Sequence, residues 1–168
     1  MILVSEIYRF PFILVETNCD TIKDNRYCYC LKNHRLHRDC ASCEKCFVEH
    51  PYEEAYKLIV DLHDLRVKKD FVVYTPKSNQ GIYIHRETTL SVVEITGASI
   101  LLLVSEGDEI TENSVIAKIF TSKGELRNFR TRTSGVILYI TDAIEGSPEK
   151  ILILIGDKNS LGRVEIEY

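Results

Sequence analysis

The sequence predicts a mostly β protein with a single α-helix, closed as a barrel or sandwich. Two observations carry that prediction. Beyond Phe71 the chain is a succession of β-branched and aliphatic runs broken by Gly, Pro, Asn, Asp and Ser, which is the pattern of short strands joined by tight turns. Helical spacing of apolar residues occurs only after Pro51. At 168 residues the chain is one large domain or one domain with an appended module, long enough to bury a sizeable core without a staple.

The elements follow in order. Residues 1–17 read as two short strands. Glu6, Arg9 and Pro11 interrupt the apolar start and no cation precedes it, which is not the pattern of a secretory signal. All six cysteines then fall between Cys19 and Cys46. This stretch is poor in aliphatic residues: Leu36 stands alone within Lys32–Asp39. Such a segment is not expected to offset its own conformational entropy, so something else has to order it. A helix follows, with Pro51 at its first position, Glu53 and Glu54 in its first turn and Lys68 and Lys69 in its last. Tyr52, Ala55, Tyr56, Ile59, Leu62 and Leu65 form its apolar face, to be packed on a sheet.

Strands are then expected at Phe71–Thr75, Gly81–Glu87, Thr89–Thr96, Ser99–Ser105, Val115–Phe120, Glu125–Arg132, Val136–Thr141, Ile151–Ile155 and Val164–Tyr168. Composition divides the chain into residues 1–70, carrying the N-terminal strands, cysteines and helix, and a β domain of residues 71–168. Within the latter, Gly97–Asp108 is weakly echoed by Gly135–Ser147: each copy is a glycine, an apolar strand and then Glu-Gly.

Composition also excludes function classes. A formal net charge of −4 argues against general nucleic-acid affinity, which needs an excess of cations. The longest aliphatic runs, Ile100–Val104 and Ile151–Ile155, are far below the ~18 residues of a membrane span. There is no Gly-rich phosphate loop, no Gly-x-Ser-x-Gly and no His-Glu-x-x-His, so no catalytic residue is assigned. The chain is expected in the cytoplasm, where thiols are better explained by metal than by disulfides.

The strongest chemical signal is Cys28-Tyr29-Cys30 followed by Cys40-Ala41-Ser42-Cys43-Glu44-Lys45-Cys46. On an extended segment Cys28 and Cys30 share one face, with Tyr29 on the other. A closed tetrahedral zinc site of Cys28, Cys30, Cys40 and Cys43 is the first assignment, with Cys46 able to replace one ligand. Metal binding would then act as folding energy for the aliphatic-poor loop. An alternative comes from Cys40, Cys43 and Cys46 at the spacing that caps an iron–sulfur cubane, with His50, Cys30 or Cys19 as fourth ligand. Disulfide pairing is the remaining reading. His34 and His37 lie close to the cysteines in sequence, Lys32, Arg35 and Arg38 flank them, and Asn128, Arg130 and Arg132 form a second polar patch.

The run Gly97 to Gly124, with Glu106-Gly107-Asp108, the strand Val115–Phe120 and then Ser134-Gly135-Val136-Ile137, resembles the biotinyl/lipoyl hammerhead, a barrel-sandwich hybrid. The resemblance covers about residues 90–156. It implies that Lys123 stands at the hairpin position where carriers attach biotin or lipoate. The chain as a whole is similar to a family found mainly in methanogenic and other archaea, catalogued as a domain of unknown function; that likeness supports the barrel and implies no activity. The expected function is a non-catalytic, metal-stabilised binding or assembly module. The alternatives are a carrier modified at Lys123 and an iron–sulfur electron-transfer protein. The expected partner is a protein rather than a nucleic acid or a membrane, and pairing of two copies through the surface sheets is left open.

Overall fold

The structure is a computed structural model. It describes residues 10–21, 28–38, 43–141 and 149–167. The chain forms two compact units, residues 1–88 with 161–168, and residues 89–160. This division lies later than the expected one at residue 70, because three strands beyond it complete the barrel of the first unit.

That barrel is closed by seven strands: β1 (Phe12–Thr17), β2 (Cys28–Lys32), β3 (Arg35–His37), β4 (Lys45–His50), β7 (Phe71–Thr75), β8 (Gln80–Ile84) and β16 (Leu161–Ile166). Their order is β1-β4-β2-β3-β16-β8-β7. Contacts are antiparallel except where β16 meets β3 in parallel, Glu165 opposite Arg35. One residue in two turns inward, so Phe12, Leu14, Tyr29, Leu36, Phe47, Val72, Tyr74, Tyr83 and Val164 form the barrel core. Within the segment 19–50 the described residues supply three barrel strands, where the aliphatic-poor sequence suggested a loop. Beside Leu36, the aromatic Tyr29 and Phe47 give it the apolar surface that a count of aliphatic residues misses. A two-residue turn with both Asn33 and His34 at positive φ joins β2 to β3, as a tight hairpin of right-handed twist requires.

The helix is shorter than its spacing predicts. It spans Tyr52–Ile59 with Pro51 as its N-cap, and its buried Ala55 and Ile59 belong to a helix that lies against β1. Val60 is already extended. The chain then makes a small hairpin, β5 (Val60–Asp61) and β6 (Arg66–Val67). Its turn is fixed by the Asp61 carboxylate, which accepts hydrogen bonds from the amides of His63 and Asp64, and by Leu65 at a φ of 54°. Leu62 and Leu65 thus only mimic helical spacing. Lys68 still serves the helix C-terminus from the hairpin: its amide donates to Ile59 O and its ammonium to Lys57 O.

The second unit is two sheets over one core. A three-stranded sheet holds β10 (Ser99–Leu102), β12 (Val115–Phe120) and β13 (Leu126–Arg130) in the order β10-β12-β13. A four-stranded sheet holds β11 (Glu109–Ile110), β14 (Gly135–Ile140), β15 (Glu149–Gly156) and β9 (Ser91–Gly97) in the order β11-β14-β15-β9. Ile95, Ile110, Ile116, Ile137, Ile151, Ile153 and Ile155 fill the space between them. The two echoed glycines mark tight points. A Cβ on Gly97 would lie 2.4 Å from Ile119, and one on Gly135 would lie 2.4 Å from the Gly156 carbonyl. Gly135 also has a φ of +147°. The echoed Glu145-Gly146 lies outside the described residues.

Candidate functional site

The described cysteines come together on the outer face of the barrel, on the side of β2 and β4 opposite the core. Cys28 and Cys30 share that face, as Cys-x-Cys on a strand must, while Tyr29 points inward. Cys46 stands directly across from Cys30, and Val48 across from Cys28. Thr17 of β1 is the other cross-strand neighbour of Cys46. Cys28, Cys30 and Cys46 are all buried despite facing outward. Cys28 and Cys46 form a small apolar cluster with Cys43 and Val48 packed against it.

Four of these sulfurs are paired. Cys19 is joined to Cys46 and Cys30 to Cys43, each with Cα atoms 5.3 Å apart. Cys28 takes part in neither bond. The expected set of Cys28, Cys30, Cys40 and Cys43 is thus not formed in this state, because a sulfur held in a disulfide has no thiolate to give a cation. Cys40 lies outside the described residues. Among the described residues no group of three or more His, Cys, Asp or Glu side chains is placed to hold an ion. His50 sits at the far end of β4, paired with Ile13. It is four residues from Cys46, about 13 Å along an extended strand, too far to share a cluster with it.

The nearby cations are engaged within the barrel. Arg35 pairs with Glu165 and Glu167 at 3.2 and 2.9 Å. His37 Nδ1 lies 2.7 Å from Glu167. Arg38 donates to the Tyr29 hydroxyl and lies over its ring. His34 serves the β2–β3 turn.

One cluster escaped sequence reasoning. Asp70, just before β7, is 4% exposed. Its carboxylate accepts hydrogen bonds from Lys45, from the Tyr83 hydroxyl and from the Arg86 amide. Lys45 also donates to Tyr83 at 3.3 Å. Desolvation would push the Asp70 carboxyl up, but these donors outweigh it and hold the carboxyl below its ordinary value. The same contacts raise Lys45, chiefly through its hydrogen bond to Asp70. Tyr83 is raised by burial and by its bond to the carboxylate. The cluster ties Lys45 of β4 and Tyr83 of β8 to the residue that leads into β7. The lone sequence signal was an aspartate immediately before an apolar strand.

In the second unit Lys123 is exposed on the turn between β12 and β13. The turn is closed by Gly124 N to Thr121 O and Thr121 N to Glu125 O, with Gly124 at a φ of +79°. The Glu106-Gly107-Asp108 step has a structural role. Gly107 N donates to Ile137 O, Ile137 N donates to Asp108 O, and the Asp108 carboxylate accepts from Ser105 N. No helix among the described residues is long and apolar enough to cross a membrane.

Barrel, paired sheets and cysteine cluster define a two-unit, mostly β protein with a sulfur-fastened front end. The chain belongs to the family described as "Uncharacterized protein conserved in archaea (DUF2118)", whose model matches residues 8–158. No curated protein matches it.

Proposed function

We propose that this protein is a non-catalytic binding or assembly module whose front barrel is fastened by its cysteine cluster. In the reduced protein the fastening is one zinc ion held by Cys28, Cys30, Cys43 and Cys46. The observation that carries the reading is the placement of Cys30 across from Cys46, with Cys28 on the same face and Cys43 against Cys30. That arrangement brings a Cys-x-Cys strand and a Cys-x-x-Cys strand entrance to one buried patch. The donors fit: four soft thiolates suit a structural, tetrahedral zinc with sulfurs about 2.3 Å from the ion. When bound, zinc would supply folding energy and no reaction, since four protein ligands leave no open position. In the oxidised form the Cys19–Cys46 and Cys30–Cys43 disulfides, the two among the described residues, fasten the same patch. Each takes two electrons and two protons from a dithiol reductant to give two thiols.

The two forms depend on different cysteines. In reduced, zinc-loaded protein Cys28→Ser lowers the zinc content from about one equivalent to a small fraction, and Cys19→Ser leaves it unchanged. In oxidised protein the dependence reverses, and Cys19→Ser removes a cross-link that Cys28→Ser leaves in place. Equal zinc in both reduced variants would refute the ligand set.

The second unit supports a finer reading as a hammerhead-like barrel-sandwich hybrid: two sheets share one core, and the echoed Gly97 and Gly135 both sit where a Cβ would meet a neighbour. A carrier role is favoured by the place of Lys123 on an exposed hairpin, where a tethered group would extend away from the sheets. Intact mass tests it: added mass that Lys123→Ala abolishes would establish a carrier, and mass equal to the sequence would exclude one.

A further inference from the structure

We propose that the outer face of the three-stranded sheet docks an extended polypeptide segment that is apolar and acidic. This rests on the reading of the protein as a binding module and gives the partner its chemistry.

An antiparallel sheet with one wet face alternates apolar and polar residues. The β10-β12-β13 sheet does not. Ile100, Leu102, Ile119 and Phe129 pack against the core, yet Leu101, Leu103, Phe120 and Leu126 on the other side are 54%, 47%, 44% and 53% exposed. Register makes them neighbours. Phe120 faces Leu126, and Leu101 faces Lys118, two residues from Phe120 on the same strand. Leu103 continues the Leu101 side of the chain, its amide still bonded to Ile116. A single exposed leucine is ordinary, but a contiguous patch of this kind marks an interaction surface. The aliphatic run Ile100–Val104 is thereby explained: one side serves the core and the other is left for a partner.

Charge selects the occupant. Lys118 stands inside the patch and Arg130, which also donates to Asn113 O, at its end, while the other facing positions are Ser99, Val115 and Asn128. The nearest acid in sequence, Glu125, is held by Arg127 at 2.7 Å. No carboxylate stands on these three strands themselves, in a chain whose net charge is −4; Glu149 reaches β10 from β15, where its carboxylate accepts from the Ile100 amide at 3.0 Å. A second copy docked by the same face would set like charges together, which complementarity disfavours. Nucleic acid is served poorly by three leucines and one aromatic ring, since single strands bind by a ring stacked on each base. β13 lies at the edge of its sheet, so a partner strand can add there, with alternate apolar side chains on the patch and carboxylates near Lys118 and Arg130.

The test uses the full chain and two synthetic peptides of equal length, one alternating leucine with glutamate and one alternating leucine with lysine. Leucine methyl NMR follows the patch, and sedimentation velocity follows self-association. The glutamate peptide is expected to shift the methyl signals of Leu101, Leu103 and Leu126 and to bind at least about tenfold tighter than the lysine peptide. Leu126→Ser and Lys118→Glu should each weaken it about fivefold or more, with circular dichroism unchanged. Equal binding of the two peptides, binding of neither, or patch shifts caused only by dimer formation or by a single-stranded oligonucleotide would overturn the proposal. None of these outcomes bears on the zinc content of the cysteine variants, so the two readings fail separately.

Discussion

Replacing Asp70 by alanine removes the acceptor on which three donors converge, and the cost follows from their environments. Tyr83 is 5% exposed, so its hydroxyl loses its acceptor within the barrel. The Arg86 amide loses its partner as well, at a smaller cost of about 1 kcal/mol, because Arg86 is exposed and water can replace the acceptor. A buried donor left without an acceptor costs about 1–3 kcal/mol. Lys45 is different: its side chain is 41% exposed, water reclaims the ammonium, and its share is at most about 1 kcal/mol. The sum is about 2–5 kcal/mol for Asp70→Ala, overlapping the range for breaking a buried pair. Asp70→Asn keeps one carbonyl acceptor and should cost about half as much. The chain has no tryptophan, so the fluorescence of the barrel tyrosines Tyr29, Tyr74 and Tyr83 reports unfolding directly. With a urea slope of about 2 kcal/mol/M, the barrel midpoint falls by roughly 2 M. A shift below about 0.3 M at unchanged slope would show that the cluster does not hold the barrel.

The same cluster sets a pH window. Asp70 has a depressed carboxyl, so its stabilisation is present above the unfolded value of about 3.9 and is lost as pH falls through the lower folded value. Lys45 is raised, so its contribution is complete below about 10.4 and is lost as pH rises through the higher folded value. The contribution of the cluster should therefore be level between these limits, and Asp70→Ala should flatten the acid limb of the urea midpoint; an unchanged acid limb would contradict the assignment. Gly135→Ala meets the Gly156 carbonyl at 2.4 Å in a positive-φ conformation and should destabilise the second unit by about 2–4 kcal/mol, against less than about 1 kcal/mol for Gly124→Ala, where nothing lies within 4 Å. Differential scanning calorimetry separates the two, and equal losses would refute the role given to Gly135.

Much of the β architecture was legible because strand signals are local. Phe71–Thr75 and Val115–Phe120 are strands with the expected bounds, and Cys28 and Cys30 share a face. What was not legible depends on tertiary context. Segment 19–50 reads as polar, yet Tyr29 and Phe47 meet across two strands to fill the barrel; single residues far apart in sequence give no periodicity. The helix is cut short by the Asp61 turn, which outweighs Leu62 and Leu65 at helical spacing. The return of β16 to β3, which sets the unit boundary, leaves no local trace. In the site, the cysteines were visible from spacing but their neighbours were not: spacing favoured Cys40 as a ligand, whereas the strand register places Cys46 beside Cys30. The Asp70 cluster joins Lys45, Asp70 and Tyr83 across gaps of 25 and 13 residues and only the fold unites it.

The most direct measurement is zinc and thiol stoichiometry on the full chain purified without oxygen. About one zinc per chain is expected, with Cys28, Cys30, Cys43 and Cys46 shielded from alkylation until a chelator is added and Cys19 reactive throughout. Metal-free protein whose four sulfurs are all alkylated without a chelator would contradict the account.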